Sequence, residues 1–220
     1  MKEDIKNVFS IEGQALEPPC ADMVVGMCGP YADIVVNTAT CLAFCGRSVS
    51  IYCTGNTEGI ERLPVPTGVR IRSLSCQDKK KDDIVLIYGT VADIPLIFRA
   101  CSSVLMMYDT ELVSLRSFQI MCSRLPDYMV CCKWRYDNEY CRATMEDTLG
   151  RCVSDKHPLV YFPQNTLDDY FAYRLKECRE YNYCKFSGEY FIHLMNIICR
   201  LCPGIGYSEL QDGLMDHLFL

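Results

Sequence analysis

A chain of 220 residues with 28 acidic against 22 basic side chains, net −6 at pH 7, fits one domain and lacks the basic face that a nucleic-acid partner needs. Half of the residues are apolar and 23% are charged, an ordinary globular composition. No run of about 18 apolar residues occurs, which argues against a transmembrane helix, and sixteen cysteines behind a charged N-terminus, MKEDIKNVFS, point to reduced thiols and a cytoplasmic location.

Residues 1–20 read as a lead-in whose end, Glu17-Pro18-Pro19, forbids helix. Residues 23–27 form a short apolar run broken by Gly26, Gly29 and Pro30, as in a buried parallel strand that ends in a turn. The period then changes. Ile34, Val35, Thr38, Cys41, Leu42 and Cys45 recur at helical spacing, predicting a helix with that stripe on a sheet and with Asn37 and Thr40 facing away. Gly46 ends the helix, and residues 49–53 are a second strand, reached by a right-handed crossover onto a parallel neighbour. The turn Gly26-Met27-Cys28-Gly29-Pro30 has the spacing of neither a dinucleotide fingerprint nor a P-loop, and no lysine follows it. It reads as a sheet-forming unit and not as a phosphate site.

Residues 69–74 alternate apolar and basic side chains like a half-exposed strand, and the charged run 78–83 reads as a solvated turn. A central strand is predicted at 84–88, a helix at 91–101, a strand at 104–108, a helix at 112–125, a strand at 128–132, a helix at 134–149 and a last strand at 159–162. Seven strands with helices between them make a doubly wound α/β domain. After a polar helical pattern at 167–183, Ser187 caps a helix whose stripe is Phe186, Tyr190, Phe191, Leu194, Ile197, Ile198 and Leu201, ended by Pro203 and Gly204. This helix is expected to pack back on the sheet, and an amphipathic piece follows at 210–220.

Four stretches, GPYADIVVNTATCLAF, DDIVLIYGTVADIPLIFRACSSVLMMYD, PDYMVCCKWRYDNEYCR and HPLVYFPQNTLDDYF, resemble in order the acceptor-side half of GT-B glycosyltransferases of family 4, on the mannosyltransferase branch of asparagine-linked glycosylation. The resemblance implies a Rossmann-like GT-B half-domain at 21–171 and a C-terminal helical segment at 172–220, with the donor domain missing. It implies a mannosyltransferase-related protein at the cytosolic face of the endoplasmic reticulum, binding a lipid-linked sugar, with no cofactor of its own. The chain departs from the family at two points. Gly29-Pro30-Tyr31-Ala32-Asp33 stands where the family reads Gly-Gly-Ala-Glu-Arg, and Tyr108-Asp109 stands where it keeps a histidine, so no mannose transfer is expected from the chain alone.

Asp109 and Glu111, at the C-terminal end of a strand, are the candidate catalytic carboxylates, the alternative being that they only start the next helix. Arg99, Arg116 and Lys133 are candidates to meet an anionic phosphate at the same edge, although such side chains are usually solvated. That edge, holding Met27, Cys28, Gly29, Pro30, Tyr31, Tyr108 and Phe162, is apolar enough to call for a cover: a separate glycosyltransferase subunit or a second copy of the chain. His157 reads as a surface residue. Cys178, Cys184, Cys199 and Cys202 are a weak zinc set, against the reading that no metal is held. The rival reading of the whole is a non-enzymatic protein-binding or scaffold protein.

Overall fold

The chain begins with two short strands, β1 (Ser10–Ile11) and β2 (Gln14–Ala15), paired antiparallel. Then come β3 (Ala21–Cys28), α1 (Ala32–Phe44), β4 (Val49–Cys53), β5 (Val69–Ser73), β6 (Asp82–Gly89), β7 (Ser103–Asp109), β8 (Met129–Lys133) and β9 (Leu159–Phe162). β3 to β9 form one seven-stranded sheet in the order β5-β4-β6-β3-β7-β8-β9, parallel at every pairing. The computed structural model describes residues 10–11, 14–15, 20–54, 60, 63–74, 81–90, 93–94, 97, 100–109, 129–133, 143, 147 and 159–218. The helices expected at 112–125 and, but for 143 and 147, at 134–149 lie outside the described residues, as do Arg99, Glu111, Arg116 and His157.

The expected neighbour relation of the first two long strands is corrected. β6 lies between them, and Ile84 pairs with Met23 on one side and with Val49 on the other. The run Ile84-Val85-Leu86-Ile87 is apolar at consecutive positions, so both faces must be buried, and a place between two parallel strands provides this. The charged run before it is corrected too. Asp82 is buried, accepting a hydrogen bond from Ser50 Oγ at 2.6 Å and pairing with Arg70. Asp83 accepts from the Ser48 backbone N–H at 2.7 Å, which holds its carboxyl below the usual value, and Lys81 pairs with Asp22.

One apolar core joins a face of the sheet (Val25, Met27, Ile51, Leu86, Leu105) to α1 and to the C-terminal helices. At Gly26, whose hypothetical Cβ would stand 2.2 Å from Ile97 Cγ2, helical residues around Ile97 close on the other face. Helix α1 ends in a Schellman motif: Arg47 N–H donates to Leu42 O, Gly46 N–H to Ala43 O, and Gly46 takes φ +77°.

The C-terminal part comprises α2 (Thr166–Tyr173), α3 (Gly188–Leu201) and α4 (Tyr207–Leu218). Asn165 Oδ1 caps α2 by accepting from the N–H groups of Leu167 and Asp168. The helical pattern expected to run to 183 ends earlier, in a π turn at Arg174–Cys178 closed by Arg179 at φ 55°. Ser187 caps α3 as expected, accepting from Tyr190 N–H at 3.1 Å. Every residue of the expected stripe on α3 is buried, against β7, β9 and α1. Helix α4 packs on α1 and α3.

Candidate functional site

In parallel α/β sheets ligands gather at the C-terminal ends of the strands, and phosphates at a helix N-terminus where backbone N–H groups stand free. Here that place is the turn from β3 into α1. Gly29 N–H donates to Gly89 O at 3.0 Å, and the Tyr88 hydroxyl donates to Gly29 O at 3.1 Å. Gly29 sits at φ +135° with its Cα against Met107, and a Cβ would lie 2.3 Å from Met107 O, so no other residue fits. Pro30 has no N–H to offer. The turn is tied down by β6 and β7 before any ligand could reach it.

The first turn of α1 is filled as well. Asp33, only 3% exposed, accepts from Lys133 Nζ at 2.9 Å and from the Tyr190 hydroxyl at 3.0 Å on the same oxygen, Oδ2. Its carboxylate sits at the positive end of the helix dipole, where an anion is favoured. Lys133 comes from the end of β8 and is 5% exposed. Burial alone would lower its pKa, but the charge and hydrogen bond of Asp33, with Asp169 at 3.7 Å, raise it above the ordinary lysine value. The Tyr31 hydroxyl donates to Lys133 O at 3.3 Å, and the ammonium lies 5.4 Å from the Tyr31 ring and 5.9 Å from the Tyr190 ring.

From Asp33 a hydrogen-bonded chain runs along α1. Tyr181 OH donates to Asn37 Oδ1 at 2.8 Å, Asn37 Nδ2 to Tyr190 OH at 3.2 Å, and Tyr190 OH to Asp33. Each donor points toward the carboxylate, and the polarisation adds along the row. Thr40 Oγ1 joins at 2.6 Å from the Tyr181 hydroxyl. Asn37 and Thr40, expected to face away, are therefore buried, because α3 and the segment before it supply hydroxyls to exactly this polar side of α1. Burial above all, and for Tyr190 the charge of Asp33 beside it, pushes both tyrosines well above the ordinary phenol value. At the N-cap of α3, Ser187 N–H and Oγ both donate to Asp168 of α2, at 2.6 Å. The hollow left among Lys133, Phe162, Asp168, Ser187 and Tyr190 is about 10 Å³, the room of one water.

Of the residues singled out in the sequence, Asp109 ends β7 in register with Lys133. Gly29 is buried, Pro30 exposed and Tyr31 half-buried. Tyr108 and Phe162, expected at an open edge, are buried, Phe162 against the rings of Tyr190 and His193 at 5.1 and 5.5 Å. The chain's own α3 covers Phe162. Lys133, read as a solvated or phosphate-seeking cation, is satisfied internally by Asp33. The cysteine set is not brought together: Cys178 and Cys184 are exposed, Cys199 half-buried and Cys202 buried, and among the described residues no group of three metal-binding side chains exists. Burial pushes the Cys202 thiol up to about 12.

No protein-family model and no curated protein matches the sequence. Solved structures do match the fold. The MinD cell division protein of Aquifex aeolicus aligns with a TM-score of 0.51 at 13% identity, over 89% of this chain and 97% of that one. The chain has a MinD-like α/β fold. A putative plasmid partition protein from Borrelia burgdorferi B31, bound to AMPPNP, aligns with a TM-score of 0.52 at 8% identity, over 91% of this chain and 99% of that one. These likenesses overturn the glycosyltransferase reading: the solved structures that match the fold over about nine-tenths of the chain are a cell division protein and a putative plasmid partition protein, not glycosyltransferases. The mannosyltransferase activity and the endoplasmic-reticulum location, which rested on that resemblance, go with it. Among the described residues no helix is long and apolar enough to cross a membrane.

Asp33 and Tyr190 are functional residues that stand outside the candidates picked out by motif and strand-end position. A signal was present: Asp33, Asn37 and Thr40 lie four and three residues apart, a polar line on an otherwise apolar helix.

Proposed function

We propose that this chain is a non-enzymatic protein-binding module built on a MinD-like fold, with its own side chains standing where a phosphate would sit. The observation that carries this reading is Asp33, held between Lys133 and Tyr190 at the N-terminus of α1. An incoming phosphate would have to displace a buried carboxylate from its counter-ion and from the helix dipole, and would find the Gly29 N–H already bonded to Gly89. The chain also lacks the lysine that a P-loop places against the β- and γ-phosphates. What remains, among the described residues, is a sheet whose β3–α1 turn is closed by the chain's own groups, a scaffold for contacts at other faces.

Calorimetric titration of the full chain with millimolar Mg·ATP, alongside a phosphate-release assay, tests the reading. No saturable heat and no release above buffer are expected. Saturable binding at micromolar nucleotide would overturn it.

A further inference from the structure

The outer side of α2 carries Leu167, Tyr170 and Tyr173, which are 52, 49 and 58% exposed. Steps of three place them in one oblique row along the helix, while Asp168 and, just beyond the helix, Leu175 are buried beneath. Charge is divided along the same helix. Near its start lie Asp168, Asp169 and, from the first turn of α3, Glu189, around a Lys133 already matched by Asp33. Past its end come Arg174, Lys176 and Arg179, against Glu177, which approaches Lys176, and Glu180, which pairs with Arg174. The start is net negative and the end net positive. The side chains of Asp169 and Glu189 at the start are 41 and 61% exposed. At the end Lys176 and Arg174, 67 and 35% exposed, are offset by Glu177 and Glu180, 52 and 60% exposed, so the surplus positive charge at the surface there is that of the exposed Arg179.

A helix with an apolar row between an acidic start and a basic end is complementary to itself turned around. We propose that α2 is a self-association face on which a second copy of this chain packs antiparallel about a two-fold axis at Tyr170. In that arrangement Tyr170 meets its own counterpart, and Leu167 meets Tyr173 of the partner subunit. The acidic start lies against the basic end, and the helix dipoles run opposed. The proposal deepens the protein-binding reading by naming the partner, and it rests on that reading. Three side chains supply less than the roughly 1,200–2,000 Å² of a long-lived complex, so the dimer forms and dissociates with concentration.

Sedimentation velocity of the full chain, without nucleotide, from low to high micromolar concentration tests it. A monomer–dimer equilibrium weakened by salt is expected. Tyr170→Asp removes both rings from the axis, together with the exposed contact each makes with Arg174, and raises the dissociation constant at least about tenfold, with a melting temperature that changes little. Tyr173→Asp, at a more exposed position, gives the same result and serves if the first variant is destabilised. A wild type that stays monomeric throughout, or a dimer indifferent to both substitutions, overturns the proposal. A monomer that takes no nucleotide removes this face alone, whereas nucleotide binding by an intact dimer removes the proposed function and leaves the face standing.

Discussion

At its N-terminal end α1 meets the rest of the molecule through a buried ion pair and a row of hydroxyls; at its C-terminal end it meets α4 through stacked rings and a half-exposed ion pair. The first contact joins Asp33 to Lys133 and Tyr190, with the side chains of the charged pair 4 and 6% exposed. The second stacks Phe44 on His217 at 4.0 Å and joins Arg47 to Glu209 at 2.9 Å, with side chains 41 and 37% exposed. Nearly equal distances thus carry different weights. Out of water a charge without its partner is costly, whereas at the surface water replaces the partner.

The largest effect is expected at Asp33. Asp33→Ala leaves the buried Lys133 with only the longer, half-exposed contact to Asp169, and should cost about 3 kcal/mol of unfolding free energy by urea titration. Replacing both partners, Asp33→Asn with Lys133→Met, should cost far less than either charge left alone. A double variant as unstable as the single one would show that shape, not charge, closes this end. Tyr190→Phe is the intermediate case. It removes the hydroxyl between Asn37 and Asp33 but keeps the ring against Phe162 and Phe186, and should cost about 1–2 kcal/mol. Glu209→Gln is expected to change stability least, by about 0.5 kcal/mol or less, and added salt should erase even that. A Glu209→Gln effect as large as that of Tyr190→Phe would erase the contrast between the two ends.

Local pattern was enough wherever the partner of an element is another part of the sheet. The apolar runs of β3, β4, β6 and β7 and the stripe of α3 are legible because a buried strand or an amphipathic helix declares itself within its own window. Asn37 and Thr40 were misread because polar residues on a helix ordinarily meet solvent, and the hydroxyls that bury them come from Tyr181 and Tyr190, more than a hundred residues onward. Lys133 was placed at the right edge but not in its pairing, since spacing says nothing about which carboxylate the fold brings to it. Tyr88 was read only as a strand residue, and its bond to Gly29 O depends on the register of β3 against β6. The likeness to glycosyltransferases arose from motifs that many strand–helix–strand units share, and only the comparison of whole folds separated the two.

The place of β6 between β3 and β4 also bears on how the chain reaches this state. A strand–helix–strand unit whose strands touched could close on itself, but here residues 21–53 hold two strands with a vacant slot between them until residues 82–89 arrive. Neither strand gains its inner ladder before then, and the slot is closed by contacts that are distant in sequence, which raises the entropic barrier and slows folding. On a ribosome the emerging N-terminal third has two unpaired, apolar strand edges facing each other, and the arrival of Gly89 marks the point from which the sheet can form as a cooperative unit.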